Sequence, residues 1–240
     1  MTWPMLVGAE QVAERLADPR LRIFDCRYEL ARPAAGREAW LRSHLPGAVH
    51  VDLHHDLAGP TTPRSGRHPL PDAAVFAARL RAWGIDDDSL LLAYDDASGL
   101  WAARFWWMTA IWLGHRHVAL LDGGLRAWTG HGLPTTADVP PAAPTGNFTA
   151  RADASRIADA DATAAAALDS AGRVLDARAA ERFRGEVEPI DPVAGHVHGA
   201  LNLPASTITG PDGRFLAPAA LGQIFGARLG NAPPAATVPP

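Results

Sequence analysis

The stretch from Leu90 to Gly124 (LLLAYDDASGLWAARFWWMTAIWLGHRHVALLDGG) constrains the fold more than any other part of this chain. Leu90 to Tyr94 is an apolar run of strand length closed by Asp95-Asp96, and predicts a strand buried on both faces. A short loop, Asp95 to Gly99, leads into a predicted helix from about Leu100 to Leu113, in which only Arg104 and Thr109 are plainly polar. That helix carries Trp101, Trp106, Trp107 and Trp112, which places it deep in a core. It falls short of the roughly 20 apolar residues that a membrane span needs. Gly114 ends it, and Val118 to Leu121 forms a second strand running into Asp122-Gly123-Gly124. Strand, loop, helix and strand in this order make a right-handed parallel crossover, so the class is α/β. The N–H groups at such a helix start face the loop, where a cysteine would have a lowered pKa. Here the loop holds Asp95 and Asp96 and no cysteine.

Ahead of this unit, Ala9 to Leu16 reads as a short helix and Leu21 to Asp25 as a strand ending in Cys26-Arg27. A polar segment with Pro and Gly follows, then a strand from Val49 to Leu53 and a turn-rich loop from Pro60 to Pro71. Asp72 is placed to cap a helix with Phe76, Leu80 and Trp83 on one stripe, closed by Gly84. A last short helix lies around Leu125 to Thr129. Pro134 to Gly146 has four prolines and no periodicity, and is expected to be a semi-rigid linker.

After that linker the chain repeats itself. RIFDCR (Arg22 to Arg27) returns as RVLDAR (Arg173 to Arg178), SHLPGAVHVDL (Ser43 to Leu53) as GHVHGALNLP (Gly195 to Pro204), and the helix ending at Gly84 as one ending at Gly230. The offsets, 176 − 25 = 151, 196 − 44 = 152 and 230 − 84 = 146, are nearly constant and point to a duplicated domain. The expected organisation is residues 1–135, a linker at 136–149, and a second copy at 150–240. Asp95 and Asp96 lie 11 and 12 residues past Gly84, and the same step from Gly230 reaches 241 and 242. The second copy is therefore expected to stop before its own loop. Its tail, NAPPAATVPP, has four prolines and reads as a poor central strand.

A net charge of −4, from 22 basic and 26 acidic residues, leaves no basic footprint for nucleic acid. One cysteine excludes an internal disulfide framework and suits a reducing compartment. With no secretory-type start and no long apolar run, the expectation is a cytoplasmic protein that does not engage a membrane.

These pieces together resemble the tandem-domain rhodanese family, the thiosulfate and 3-mercaptopyruvate sulfurtransferases. The resemblance rests on the paired DCR and DAR strand ends, LPGA with its partner HGA, GRHPLP (Gly66 to Pro71), the YDD loop with AARFWW, LDGGLRAW (Leu121 to Trp128) and VLDAR…RFRGEVEP (Val174 to Pro189). It implies two rhodanese-like domains, each a parallel-sheet α/β sandwich, the second incomplete. It also implies a first copy that is non-catalytic, with Asp95 and Asp96 where a nucleophile would stand. The catalytic loop cysteine, which carries sulfane sulfur as a persulfide, would fall beyond Pro240, so no catalytic residue is assigned within the chain. Arg182 matches the family arginine that binds the anionic donor, its bland alternative being a surface charge beside Glu181 and Glu186. Ile190 and Asp191 stand where mercaptopyruvate enzymes tend to place a second arginine, which leans toward thiosulfate. His68 matches a first-domain histidine of mercaptopyruvate enzymes, but its expected carboxylate partner falls at His54, so a loop histidine between Arg67 and Pro69 is the plainer reading. No cofactor is implied. The partners are a small anionic sulfur donor and a thiophilic acceptor, for a chain that is a monomer or weak oligomer. A non-catalytic binding or regulatory module of the same family is the alternative, and a related phosphatase fails on the same missing cysteine.

Other reactive types have ordinary explanations. Cys26 follows a strand end rather than opening a helix, and reads as a structural thiol. His196 and His198 lack a third ligand at suitable spacing, so no metal site is expected; His44 and His196 occupy equivalent positions and are expected to bond turn backbone. His54, His55, His115 and His117 read as solvated loop residues.

Overall fold

The structure is a computed structural model that describes residues 3–169, 173–230 and 237–238. It divides into two compact units, residues 1–154 with 212–214, and residues 155–211 with 215–240.

In the first unit, chain order gives β1 (Leu6–Val7), α1 (Ala9–Ala13), β2 (Leu21–Asp25), α2 (Ala35–Arg42), β3 (Val49–His50), α3 (Ala73–Ala82) and β4 (Leu90–Tyr94). There follow α4 (Ala102–Trp106), which runs on as a π-helix over Trp107–Trp112, then β5 (Val118–Leu121) and α5 (Gly124–Gly130). The sheet order is β1-β5-β4-β2-β3 and every pairing is parallel. β4 lies at its centre with all five residues buried, as an unbroken apolar run requires. Alternation then sorts the side chains. Ile23, Leu92, Tyr94, Ala119 and Leu121 pack with Val12 of α1 and Trp128 of α5. Phe24 packs instead at a tilt against Phe105 of α4, with ring centroids 4.6 Å apart, and reaches Trp83 at 5.6 Å. Asp72 caps α3 as expected, accepting from the N–H groups of Ala74 (2.8 Å) and Val75 (3.1 Å).

Several local expectations change. The tryptophan helix is not uniformly deep: Trp112 is buried, but Trp101, Trp106 and Trp107 are half-buried, and Leu100 is 53% exposed. The strand expected over Val49 to Leu53 pairs only at Val49–His50. The polar segment before it, read without regular structure, contains α2. A Cβ at Gly36 would sit 1.9 Å from the Arg27 carbonyl oxygen, so the bare backbone is what lets α2 pass there. His115 is 3% exposed rather than solvated, because Phe148 packs on its ring at 5.1 Å and its Nε2 meets the Asp86 carbonyl at 3.1 Å.

Phe148 belongs to the stretch expected to be a linker. Residues 137–153 have no regular secondary structure, yet they are laced to the first unit and lie within it. Thr136 exchanges backbone hydrogen bonds with His44 (2.8 and 2.9 Å). Further along, Gly146 donates to Arg81 (2.8 Å), Phe148 to Ile85 (3.1 Å), Arg151 to Leu113 (2.9 Å) and Asp153 to Trp112 (2.9 Å). Prolines lack the N–H for a ladder but hold the chain extended, so this segment spends its remaining donors on the domain beneath it.

In the second unit, α6 (Ala160–Leu168), β6 (Arg173–Asp176), α7 (Ala180–Phe183), β7 (Leu201–Asn202), α8 (Pro218–Leu229) and β8 (Thr237–Val238) follow in order, and the sheet is β7-β6-β8, all parallel. This repeats the order β3-β2-β4. Arg22 pairs with Leu91, and its repeat partner Arg173 pairs with Thr237, so 237 − 91 = 146 equals the Gly84-to-Gly230 offset. The proline-rich tail therefore does supply a two-residue strand, at the edge of the described sheet and in the register that β4 takes in the first unit. Thr237-Val238 lies between two proline pairs, and these β-branched residues keep the N–H groups that prolines lack. The remainder of that tail lies outside the described residues. Among the described residues of this unit only Val174, Asp176, Ala200 and Leu203 are buried, and α6 and α8 bury none.

Candidate functional site

The crossover loop of the first unit is built around Asp95, which is 0% exposed. One carboxylate oxygen accepts from the N–H groups of Ala97 and Gly99 (both 2.9 Å), the other from those of Trp101 (2.8 Å) and Ala102 (2.9 Å). The loop reaches this shape through a left-handed Ser98 (φ 57°) and Gly99 (φ 85°). Its far side is closed by α5: Leu125 N–H donates to the Asp95 carbonyl at 2.9 Å, and a Cβ on Gly124 would stand 2.2 Å from that oxygen. An anion cradle is thus fully formed, and its anion is the protein's own carboxylate. Asp96, beside it, is exposed.

Beneath the loop lies a buried ion pair that pattern reading treated only as a mark of the repeat. Arg27 grips Asp25 in a fork (Nε–Oδ1 2.9 Å, Nη2–Oδ2 2.6 Å) and donates on to the Ser43 carbonyl at 2.7 Å. Tyr94 donates to the same carboxylate at 2.6 Å. Burial, then the Asp25 charge, holds the Tyr94 hydroxyl protonated far above the ordinary phenol range. The second unit repeats the fork and its onward bond: Arg178 holds Asp176 (Nε–Oδ1 3.0 Å) and donates to the Gly195 carbonyl at 2.7 Å. His44 and His196 bond backbone as expected, through Nδ1 to the carbonyls of Trp40 and Phe183, both at 2.6 Å.

Cys26, the only cysteine, is 2% exposed, with Sγ 4.0 Å from the Phe24 carbonyl oxygen. Burial first, then the charges of Asp25, Asp95 and Asp56, push its thiol up, the opposite of an activated nucleophile. His68 is half-buried, edge-on to Tyr28 (6.1 Å) and His54 (5.7 Å). Burial, then Arg104, pulls its pKa down, favouring the neutral ring. Its carbonyl accepts from Arg104 Nη2 at 2.9 Å.

Arg182, in the second unit, is engaged by partners other than the neighbours expected for it. Glu188 takes it through Nη2 (2.7 and 3.0 Å) and Nε (3.3 Å), and Asp191 Oδ2 lies 3.1 Å from Nη2. Glu186 pairs instead with Arg184 at 2.7 Å. Glu188 also accepts from the N–H groups of Ile190 (3.0 Å) and Asp191 (2.9 Å), and Arg178 Nη1 lies 3.5 Å from it. Hydrogen bonds, first from the Asp191 backbone and then from Arg182, bring its pKa down to about 2. Among the described residues no cluster of three ligand types suits a metal ion, and no helix is long and apolar enough to cross a membrane.

The rhodanese-like domain profile matches residues 8–131, more than half of the chain. The chain belongs to the rhodanese family. A probable 3-mercaptopyruvate sulfurtransferase of Pseudomonas aeruginosa is 48% identical over 236 residues, 97% of this chain and 82% of that protein. A putative thiosulfate sulfurtransferase, SseB of Mycobacterium tuberculosis, is 40% identical over 224 residues, 92% of this chain and 77% of the other. The crystal structure of the 3-mercaptopyruvate sulfurtransferase SseA from Escherichia coli superposes with a TM-score of 0.79 at 32% identity, over 95% of this chain and 84% of that one. The parallel α/β architecture is thus the rhodanese fold.

Proposed function

We propose that this rhodanese-family chain is a sulfurtransferase, moving sulfane sulfur from thiosulfate or 3-mercaptopyruvate to a thiophilic acceptor such as cyanide. Its first unit is the non-catalytic copy, and Arg182 of the second unit binds the anionic donor. With thiosulfate, a thiolate attacks the outer sulfur, the S–S bond breaks, and sulfite leaves with the electron pair; with 3-mercaptopyruvate the C–S bond breaks and the pair leaves on pyruvate as its enolate, which takes up a proton. The acceptor then takes the terminal sulfur of the persulfide and the thiolate returns. One observation carries the division of labour: the crossover-loop cradle of the first unit is filled by Asp95, while Cys26 is buried with its thiol pushed up. Residues 1–240 therefore supply scaffold and donor binding and transfer no sulfur by themselves; the proposed setting is the cytoplasm, as a monomer or weak oligomer.

The test pairs two proteins in a thiosulfate-to-cyanide assay, repeated with 3-mercaptopyruvate. The 240-residue chain should form no thiocyanate, with Cys26→Ser no different. Joined to the part of the Pseudomonas aeruginosa relative that the 82% match leaves uncovered, it should become active. Cys26-dependent thiocyanate from the chain alone, or a folded chimera inert with both donors, would overturn the reading.

A further inference from the structure

The two carboxylates on Arg182 are held very differently. Glu188 has a side chain 5% exposed, meets the guanidinium through both oxygens, and is itself fixed by two backbone N–H groups. Asp191 meets only the Nη2 corner of that guanidinium, and its side chain is 38% exposed. Among the described residues, ion pairs connect Asp176, Arg178, Glu188, Arg182 and Asp191, two positive and three negative, so these five carry a net −1 while Asp191 is in place. Without Asp191 the remaining four are balanced, and the fork of Arg182 is still oriented by Glu188. A guanidinium held on one side by a buried carboxylate and covered on the other by a solvent-facing one is arranged for exchange of the second.

We propose that Asp191 is an internal competitor: it occupies the corner of Arg182 that an anionic sulfur donor takes, and it must swing away for the donor to bind. This rests on the reading of Arg182 as the donor-binding arginine. Its consequence is charge selection. A resident carboxylate repels a dianion about twice as strongly as a monoanion, so Asp191 weakens thiosulfate binding more than it weakens a monocarboxylate. Glu188 is a positioning residue that keeps the guanidinium aimed while the exchange takes place.

The 240-residue chain suits the test, because without an activated thiol thiosulfate is simply a bound anion. Thiosulfate and pyruvate are titrated into chain carrying nitrogen-15 arginine, with the Arg182 Nε–H resonance and calorimetric affinities as readouts. Asp191→Asn should tighten pyruvate by about three- to fivefold and thiosulfate by roughly the square of that factor, as expected for loss of a half-exposed charge. Adding Arg182→Gln should abolish both gains. A merely structural role for Asp191 would not alter the ratio of the two affinities. Should Asp191→Asn fail to fold, Asp191→Ser is measured in its place, with wild-type resonance dispersion as the criterion. If anion binding depends on Arg182 but neither neutral variant changes the ratio, the competitor is refuted. If no anion binding depends on Arg182 in any variant, the donor-binding reading falls, and the competitor with it.

Discussion

Replacing Asp95 by alanine strips four backbone N–H groups of their acceptor at once, in a place where the carboxylate is 0% exposed. Three of these donors sit in partly buried hydrogen bonds that water can replace, at about 1 kcal/mol each, while that of Ala102 is buried and costs about 2. Relief of the carboxylate's own desolvation offsets part of this, leaving a loss of about 3–5 kcal/mol. That is a large share of the roughly 5–15 kcal/mol that holds a domain folded. Asparagine is no rescue. Its one oxygen serves one donor pair, and its NH2 group points at the other pair, so Asp95→Asn should cost nearly as much as Asp95→Ala. All eight tryptophans lie at or before Trp128, so tryptophan fluorescence during urea unfolding reads the first unit alone. The expected result is a lower midpoint with an unchanged slope. Asp95→Cys adds a second readout, since the same four donors should lower its thiol pKa and make it react with iodoacetamide at pH 7. An Asp95→Ala penalty below about 1 kcal/mol, or a stable Asp95→Asn, would refute the account of the cradle.

Three further outcomes are expected. Native Cys26 should resist thiol reagents and become titratable only in denaturant, because burial pushes its thiol up; rapid native labelling would contradict its placement. Limited proteolysis should cut first beyond Ala154 rather than after Pro134, leaving a fragment close to residues 1–154, because residues 136–153 are bonded along the first unit; an early cut at Pro134 would contradict that bonding. His115, its pKa lowered by burial, is neutral in the folded chain, whereas the unfolded chain takes up its proton near pH 6.5. Its contribution is therefore complete above pH 6.5 and is lost as pH falls below it, with a slope of at most roughly 1.4 kcal/mol per pH unit, and His115→Gln should flatten the melting temperature between pH 8 and 5.5.

Local pattern carried the duplication well, down to single bonds. The DCR and DAR strand ends proved to be Asp25–Arg27 and Asp176–Arg178 forks, each passing a hydrogen bond to the carbonyl just before its repeat histidine. Pattern failed where a residue's meaning depends on something far along the chain. His115 reads as solvated from its neighbours in sequence, yet Phe148 lies over it. Arg182 pairs six and nine residues ahead, with Glu188 and Asp191, outside the three- and four-residue spacing that links neighbours on a helix.

What the amino-acid order determined alone is the parallel crossover of the first unit, the repeated strand ends and the carboxylate in the first loop, because apolar run length, glycine position and residue identity are local quantities. Tertiary structure decided the rest: the π-turns of the tryptophan helix, the proline segment laid on the first unit, the short strand within the tail, and which carboxylates hold Arg182. Each of these is a choice among partners distant in sequence, and only packing, which must satisfy every buried donor and acceptor together, makes that choice.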